Sequence, residues 1–228
     1  MPAYRSAAEA EIRQAVVARI RAIRPGARIL HEVIAGANRI DVMAVDEAEI
    51  ITVEIKSAKD KLDRLPAQLA QMAAVSSHAI VALHERFLVE QLTNRAAAHS
   101  ERDGVFYLKA VPPHLQRHVS WVYPERRRSL HADGWDLLAR WVSPKPLAET
   151  ALPHAALSLL WREELRSLCR HLGVPVRSRA RSGALIEALR WRCTGAELTH
   201  GICTALRTRP CLEGDLPIGL TSAATAAE

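Results

Sequence analysis

The chain has 228 residues, 49% hydrophobic and 25% charged, which supports a packed core and excludes a wholly disordered protein. No apolar run approaches the ~18 residues of a membrane span, and the amphipathic start "MPAYRSAAEAEIRQ" lacks the apolar centre of a signal peptide. A net charge of +6 and a pI near 9.5 suggest an acidic partner, nucleic acid before membrane. Only five of the 31 basic residues are lysine, so arginine excess from genome composition is the competing reading.

Ile12, Val16, Ile20 and Ile23 recur at helical spacing over residues 6–23, and "RPGA" stops that helix. "RILHEVIA", "RIDVMAV" and "IITVEIK" read as three strands, the last two joined by "DEAE". Over residues 60–76 the period turns helical, with Leu62, Leu65, Leu69 and Met72 on one stripe. "HAIVAL" reads as a buried strand, "RFLVEQLTNRAAAH" as a helix and "GVFYLKA" as a strand, with "VSWVYP" a candidate for one more. This order predicts an α/β fold: one mixed sheet flanked by helices within residues 1–124.

Beyond Pro124 the texture changes. "ERRRSLHADG" and the three prolines of "WVSPKPLAETALP" suggest a connector over residues 125–157, with a short helix near residues 135–141. Residues 158–194 read as a basic helical unit, and residues 195–228 as a weakly periodic tail, partly disordered, ending in "TSAATAAE". Cys169, Cys193, Cys203 and Cys211 show no framework spacing, which fits reduced thiols in a cytoplasmic protein. With His200 they form no CxxC pair of the kind zinc sites use. His31, His78 and His84 lack partners at ligand spacing and read as structural.

If "DEAE" is a hairpin loop, facing residues have numbers summing to 95: Val45 meets Ile50, Met43 meets Thr52, Asp41 meets Glu54 and Arg39 meets Lys56. Ile40, Val42, Ala44, Ile51, Val53 and Ile55 then share an entirely apolar face. The opposite face is apolar near the turn and charged at its open end. Two carboxylates side by side repel unless positive charge lies between them. Lys56 and Arg39 could supply it, making a structural ion-pair cluster; a hard divalent cation such as Mg²⁺ or Mn²⁺ could equally do so. Glu32, flanked by "IL" and "VI" in the neighbouring strand, either completes a metal shell or faces water at an edge. Glu9 lies on the stripe of Ile12 and Val16, or serves the helix dipole.

Asp41 followed thirteen residues later by "Glu54-Ile55-Lys56" at a strand end resembles the signature of the PD-(D/E)XK nuclease superfamily. The order α-β-β-β-α-β is similar to that restriction-endonuclease-like core, and "RIDVMAVDEAEIITVEIKSAKDKLDRLPAQLAQM" resembles MmcB-type DNA repair endonucleases and phage-associated relatives. The resemblance covers residues 8–123, with Ile40 standing where the family name has proline. It implies a metal-dependent deoxyribonuclease acting in DNA repair, recombination or phage-related DNA processing. Asp41 and Glu54 would ligate Mg²⁺ or Mn²⁺ together with the Ile55 carbonyl, and Lys56 would orient the attacking water. Gln68, on the following helix, would match an auxiliary glutamine, or else face solvent.

In "WREELRSLCRHLGVPVRSRARSGALIEALRWRC", Leu165, Leu168 and Leu172 line one short helix, and Leu185, Ile186 and Leu189 a second. Gly173 is placed to end the first. Eight arginines stand against three acidic residues between Trp161 and Arg192, so Arg166, Arg170, Arg177, Arg179 and Arg181, with Arg39 near the carboxylates, are candidate phosphate contacts. The layout resembles the SAP motif, which implies DNA binding; a helical hairpin serving packing or a homodimer is the alternative. The expected partner is DNA, duplex, single-stranded or branched, with no membrane. The rival readings are a noncatalytic nucleic-acid-binding protein that keeps the fold, and a phage-derived structural or assembly protein.

Overall fold

A computed structural model describes residues 6–147, 150–211 and 213–218. Helix α1 (Ala7–Ile23) begins at Ser6, whose hydroxyl accepts a hydrogen bond from the Glu9 N–H, and buries Ile12, Val16 and Ile20. Strands β1 (Arg28–Ala35), β2 (Asn38–Val45) and β3 (Ile50–Lys56) follow as an antiparallel meander. The hairpin register is the one its loop requires, with Val45 opposite Ile50 and Met43 opposite Thr52.

Helix α2 (Leu65–Ala73) is shorter than its stripe suggested. Asp60 accepts from both the N–H and the hydroxyl of Ser57, which ties the residues after β3 into a turn. Pro66 then sits where proline is tolerated, in the first helical turn. The stripe itself holds, since Leu65, Leu69 and Met72 are buried. Strand β4 (His78–His84) runs parallel to β3, as a crossover through a helix demands.

The expected helix in "RFLVEQLTNRAAAH" does not form. Its middle is strand β5 (Val89–Leu92), which pairs with β7 (Val105–Ala110), and β6 (Ser100–Arg102) pairs with β7 on the other side. The apolar spacing was compatible with either structure, and strand partners outweighed it. Asn94 caps a turn by accepting from the Ala97 N–H, so the chain reverses there. "GVFYLKA" therefore belongs to a separate three-stranded sheet, and the fifth strand of the main sheet is β8 (Val119–Tyr123), parallel to β4. The main sheet is mixed, in the order β1-β2-β3-β4-β8.

Both faces of that sheet are covered. α1 packs on Val42, Ala44, Ile51, Val53 and Ile55, joined by Trp121 and Trp141, which stack with ring centroids 5.1 Å apart. Trp141 is buried, and its indole N–H donates to the Val122 carbonyl, so the segment after β8 is sealed onto the sheet. On the other face Met43, Val45, Ile50 and Val81 share one core with α2 and with three further helices, α3 (Arg162–His171), α4 (Ser182–Arg192) and α5 (Gly195–Thr208). Gly173 ends α3 at φ +65°, as expected. The weak period after Thr194 concealed α5, which buries Leu198, Ile202, Cys203 and Leu206; "TSAATAAE" lies outside the described residues. Ile40 packs with this second core instead of sharing the face of Val42, because side-chain alternation inverts around Asp41.

Candidate active site

The inversion has a visible cause. Glu32 sits mid-strand at φ +56°, a left-handed conformation rare outside glycine and turns. It interrupts the β1–β2 pairing between His31↔Val42 and Val33↔Ile40, opposite Asp41. The β2–β3 pairing also stops at Val42↔Val53, so the Asp41–Glu54 and Arg39–Lys56 pairs expected from the register do not form as ladder pairs. The strands part there because the Asp41 carboxylate accepts the Ile55 N–H at 2.7 Å, a donor that a continuing ladder would have used. The Asp41 carbonyl is taken by Arg13 from α1.

A cleft of about 410 Å³ opens at this split, lined by Asp41, Glu54, Ile55, Lys56, Gln68 and Arg39 among others. Lys56 is only 8% exposed, and its ammonium donates to Glu54 Oε1 at 2.8 Å and to Gln68 Oε1 at 2.9 Å. The Gln68 amide also donates to Glu54 Oε1, which closes a triangle of three side chains. Gln68 thus faces inward and not into solvent. Burial raises the Asp41 carboxyl from its ordinary 3.8 to about 7, and the Glu54 charge adds to the rise; the Ile55 N–H and Arg13 oppose it.

Glu32 accepts from Arg13 at 2.7 Å and lies 2.5 Å from Arg39, so it faces cations and is not at a solvated edge. Glu9 points inward and accepts from Arg13 at 2.6 Å. Arg13, 1% exposed, is therefore a hub joining Glu9, Glu32 and the Asp41 backbone. Against the cost of burial, these carboxylates hold its pKa above the ordinary guanidinium value. The sequence carried a signal for it: Arg13 lies one turn after Glu9 on the same buried face as Ile12, Val16 and Ile20. Also unforeseen were Asp60, Lys61 and Arg64, which put charge on the cleft rim from the turn after β3.

His78 and His84 serve structure: His78 bonds the Lys145 carbonyl and Glu49, and His84 accepts from the Arg86 N–H. His31 lies beside Arg13, and burial and that cation lower its pKa. Among the described residues no three or more His, Cys, Asp or Glu side chains are grouped to hold a metal ion. Asp41, Glu54 and Ile55 nevertheless bring hard oxygen donors to one cleft, and the Glu54 charge that adds to the effect of burial on Asp41 is the kind a divalent cation relieves.

Of the candidate phosphate contacts, Arg170, Arg177, Arg179 and Arg181 are exposed on the α3–α4 hairpin. Arg166 is half-buried and donates to the Ser178 carbonyl, so it braces the loop between those helices. Arg39 is half exposed at the cleft.

The chain is similar to bacteriophage P4 protein cII over residues 3–99. That stretch spans α1 to β5 and contains the whole carboxylate cleft. No curated protein and no solved structure matched the chain.

Proposed function

We propose that this chain is a metal-dependent nuclease that hydrolyses DNA phosphodiester bonds, as the PD-(D/E)XK resemblance implies. The observation that carries the reading is the convergence of Asp41, Glu54, Ile55 and Lys56 on one cleft, where β2 and β3 part. Asp41, Glu54 and the Ile55 carbonyl are the groups that would hold Mg²⁺ or Mn²⁺. A hard divalent cation supplies Lewis acidity toward a phosphoryl oxygen and toward water. The chain's own part is positional and electrostatic. Arg13 and the Ile55 N–H fix the Asp41 backbone and carboxylate. Glu54 and Gln68 aim the Lys56 ammonium, which orients the attacking water and offsets charge developing on the phosphate. Arg39 at the rim, and the exposed arginines of the α3–α4 hairpin, bind flanking phosphates.

A second reading, a noncatalytic nucleic-acid-binding protein, is favoured by one feature: the 2.8 Å Lys56–Glu54 ion pair already neutralises part of the site. Incubation with single-stranded, duplex and branched DNA in Mg²⁺, Mn²⁺ or EDTA separates the two. Cation-dependent cleavage is expected, falling by about 10²–10⁴ in Asp41→Ala and Lys56→Ala. Cleavage that survives both substitutions overturns the mechanism, and binding without cleavage selects the second reading.

A further inference from the structure

Trp191 is 82% exposed, more than any of the other four tryptophans. Helix α4 packs on the core through Leu185 and Leu189, both buried. Trp191 follows Leu189 by two residues, about 200° around the helix, and so projects away from the core. Its neighbours Arg190 and Arg192 are exposed and stand about 100° to either side of it. At the other end of α4 the preceding loop is braced from α3: Arg162 donates to the Ala180 carbonyl and Arg166 to the Ser178 carbonyl. That bracing leaves Arg177, Arg179 and Arg181 exposed. From Arg181 to Trp191 is about 15 Å along the axis.

Phosphates can be held by arginine alone, so a solvated indole needs another reason. It offers a flat apolar face. In a duplex the faces of the bases are already covered by their neighbours, whereas an unpaired base has a face to give. A protein partner for so large a ring would bring apolar surface around it, but the exposed residues nearest Trp191 in the chain are Arg190, Arg192 and Thr194, all polar.

We propose that the C-terminal end of α4 is a binding site for unpaired nucleotides, with Trp191 stacking on a base and Arg190 and Arg192 taking the phosphates on either side. This deepens the nucleic-acid half of the proposed function and rests on it, but needs no hydrolytic step.

The test is fluorescence anisotropy of the full-length protein in EDTA, with labelled oligothymidine and a duplex of equal length. Trp191→Ala should weaken oligothymidine binding by about ten- to a hundredfold and duplex binding by no more than about twofold. Trp191→Phe should recover most of the loss. Arg190→Gln and Arg192→Gln should each lower the slope of log affinity against log salt on the single strand by about 0.7. An equal loss for both DNAs, or none, overturns the proposal. So does a shift from dimer to monomer in Trp191→Ala by sedimentation, which would make the tryptophan a contact between copies. If the protein binds duplex but no single strand, this inference alone fails; if it binds neither, the nucleic-acid reading fails with it.

Discussion

Asp41 is the residue on which the candidate site turns, because it does two jobs that conflict. Its carboxylate holds the Ile55 N–H that β2 has given up, yet burial and Glu54 raise its pKa to about 7. A carboxyl raised in the folded state binds its proton more tightly there than when unfolded. In metal-free protein its contribution to stability is therefore full below pH ~4 and is lost as pH rises from about 4 to about 7. Asp41→Asn keeps an oxygen for the Ile55 N–H and cannot ionise. Urea unfolding should show it more stable than the parent by roughly 4 kcal/mol at pH 8, with the gain vanishing near pH 4. By the same linkage, if the cleft takes Mn²⁺ as proposed, binding displaces the Asp41 proton, and calorimetric affinity should rise with pH up to about 7 and level off above it. Arg13 is the counterpart on the structural side. Arg13→Met leaves Glu9 and Glu32 buried without their shared cation, and denaturant unfolding should register a loss of about 3–5 kcal/mol.

At the scale of elements, the site exists because regular pairing fails in two adjacent places, at Glu32 in β1 and at Asp41 between β2 and β3. Two intact ladders would have left no cleft. The β1–β2 turn is seated on α2, where Gly36 adopts φ +60° and lies against Gln71. Gly36→Ala meets both an unfavourable φ and the Gln71 amide, so its urea midpoint should fall by an amount equivalent to about 1–3 kcal/mol. Periodicity found α1, β1, β3 and the buried stripe of α2, since each shows its core face in the order of its own residues. It misread residues 87–92, where Phe87, Leu88, Val89 and Leu92 fit a helix as well as a strand. β7, which decides the matter, lies over ten residues further along the chain.

At the scale of the whole molecule, one core joins the sheet to the C-terminal helices: Leu30, Met43 and Ile50 share it with Leu157, Leu165, Leu198 and Ile202. Buried Arg28 of β1 donates to the Leu206 and Arg207 carbonyls at the end of α5, satisfying acceptors that a helix C-terminus leaves open. The chain then returns along β1, where Gly214 pairs with Leu30 and Glu213 accepts the His31 N–H, covering part of that exposed edge. Circular dichroism and tryptophan fluorescence should therefore report a single coincident unfolding transition. A chain ended at Cys193 should lose that cooperativity, because Arg28 loses its carbonyl partners while the core loses Leu198, Ile202, Cys203 and Leu206.

The local pattern of residues was enough to determine the meander, the register of its hairpin and the placing of Asp41, Glu54 and Lys56 near one end of it. Those follow from a strand period of two and from a loop of countable length. The pattern could not reveal that the strands part at Asp41, that Glu32 takes a left-handed conformation, or that Arg13 reaches the Asp41 carbonyl. Each of these depends on a partner supplied by another element: Ile55 N–H from β3, Arg39 and Arg13 around Glu32, and α1 laid across the sheet. Nor could it place Gln68 against Lys56 or seal α5 onto the sheet, since a helix shows which face is apolar but not what that face will meet. The tertiary structure decided these, because buried hydrogen bonds and charges must find partners wherever the fold brings them.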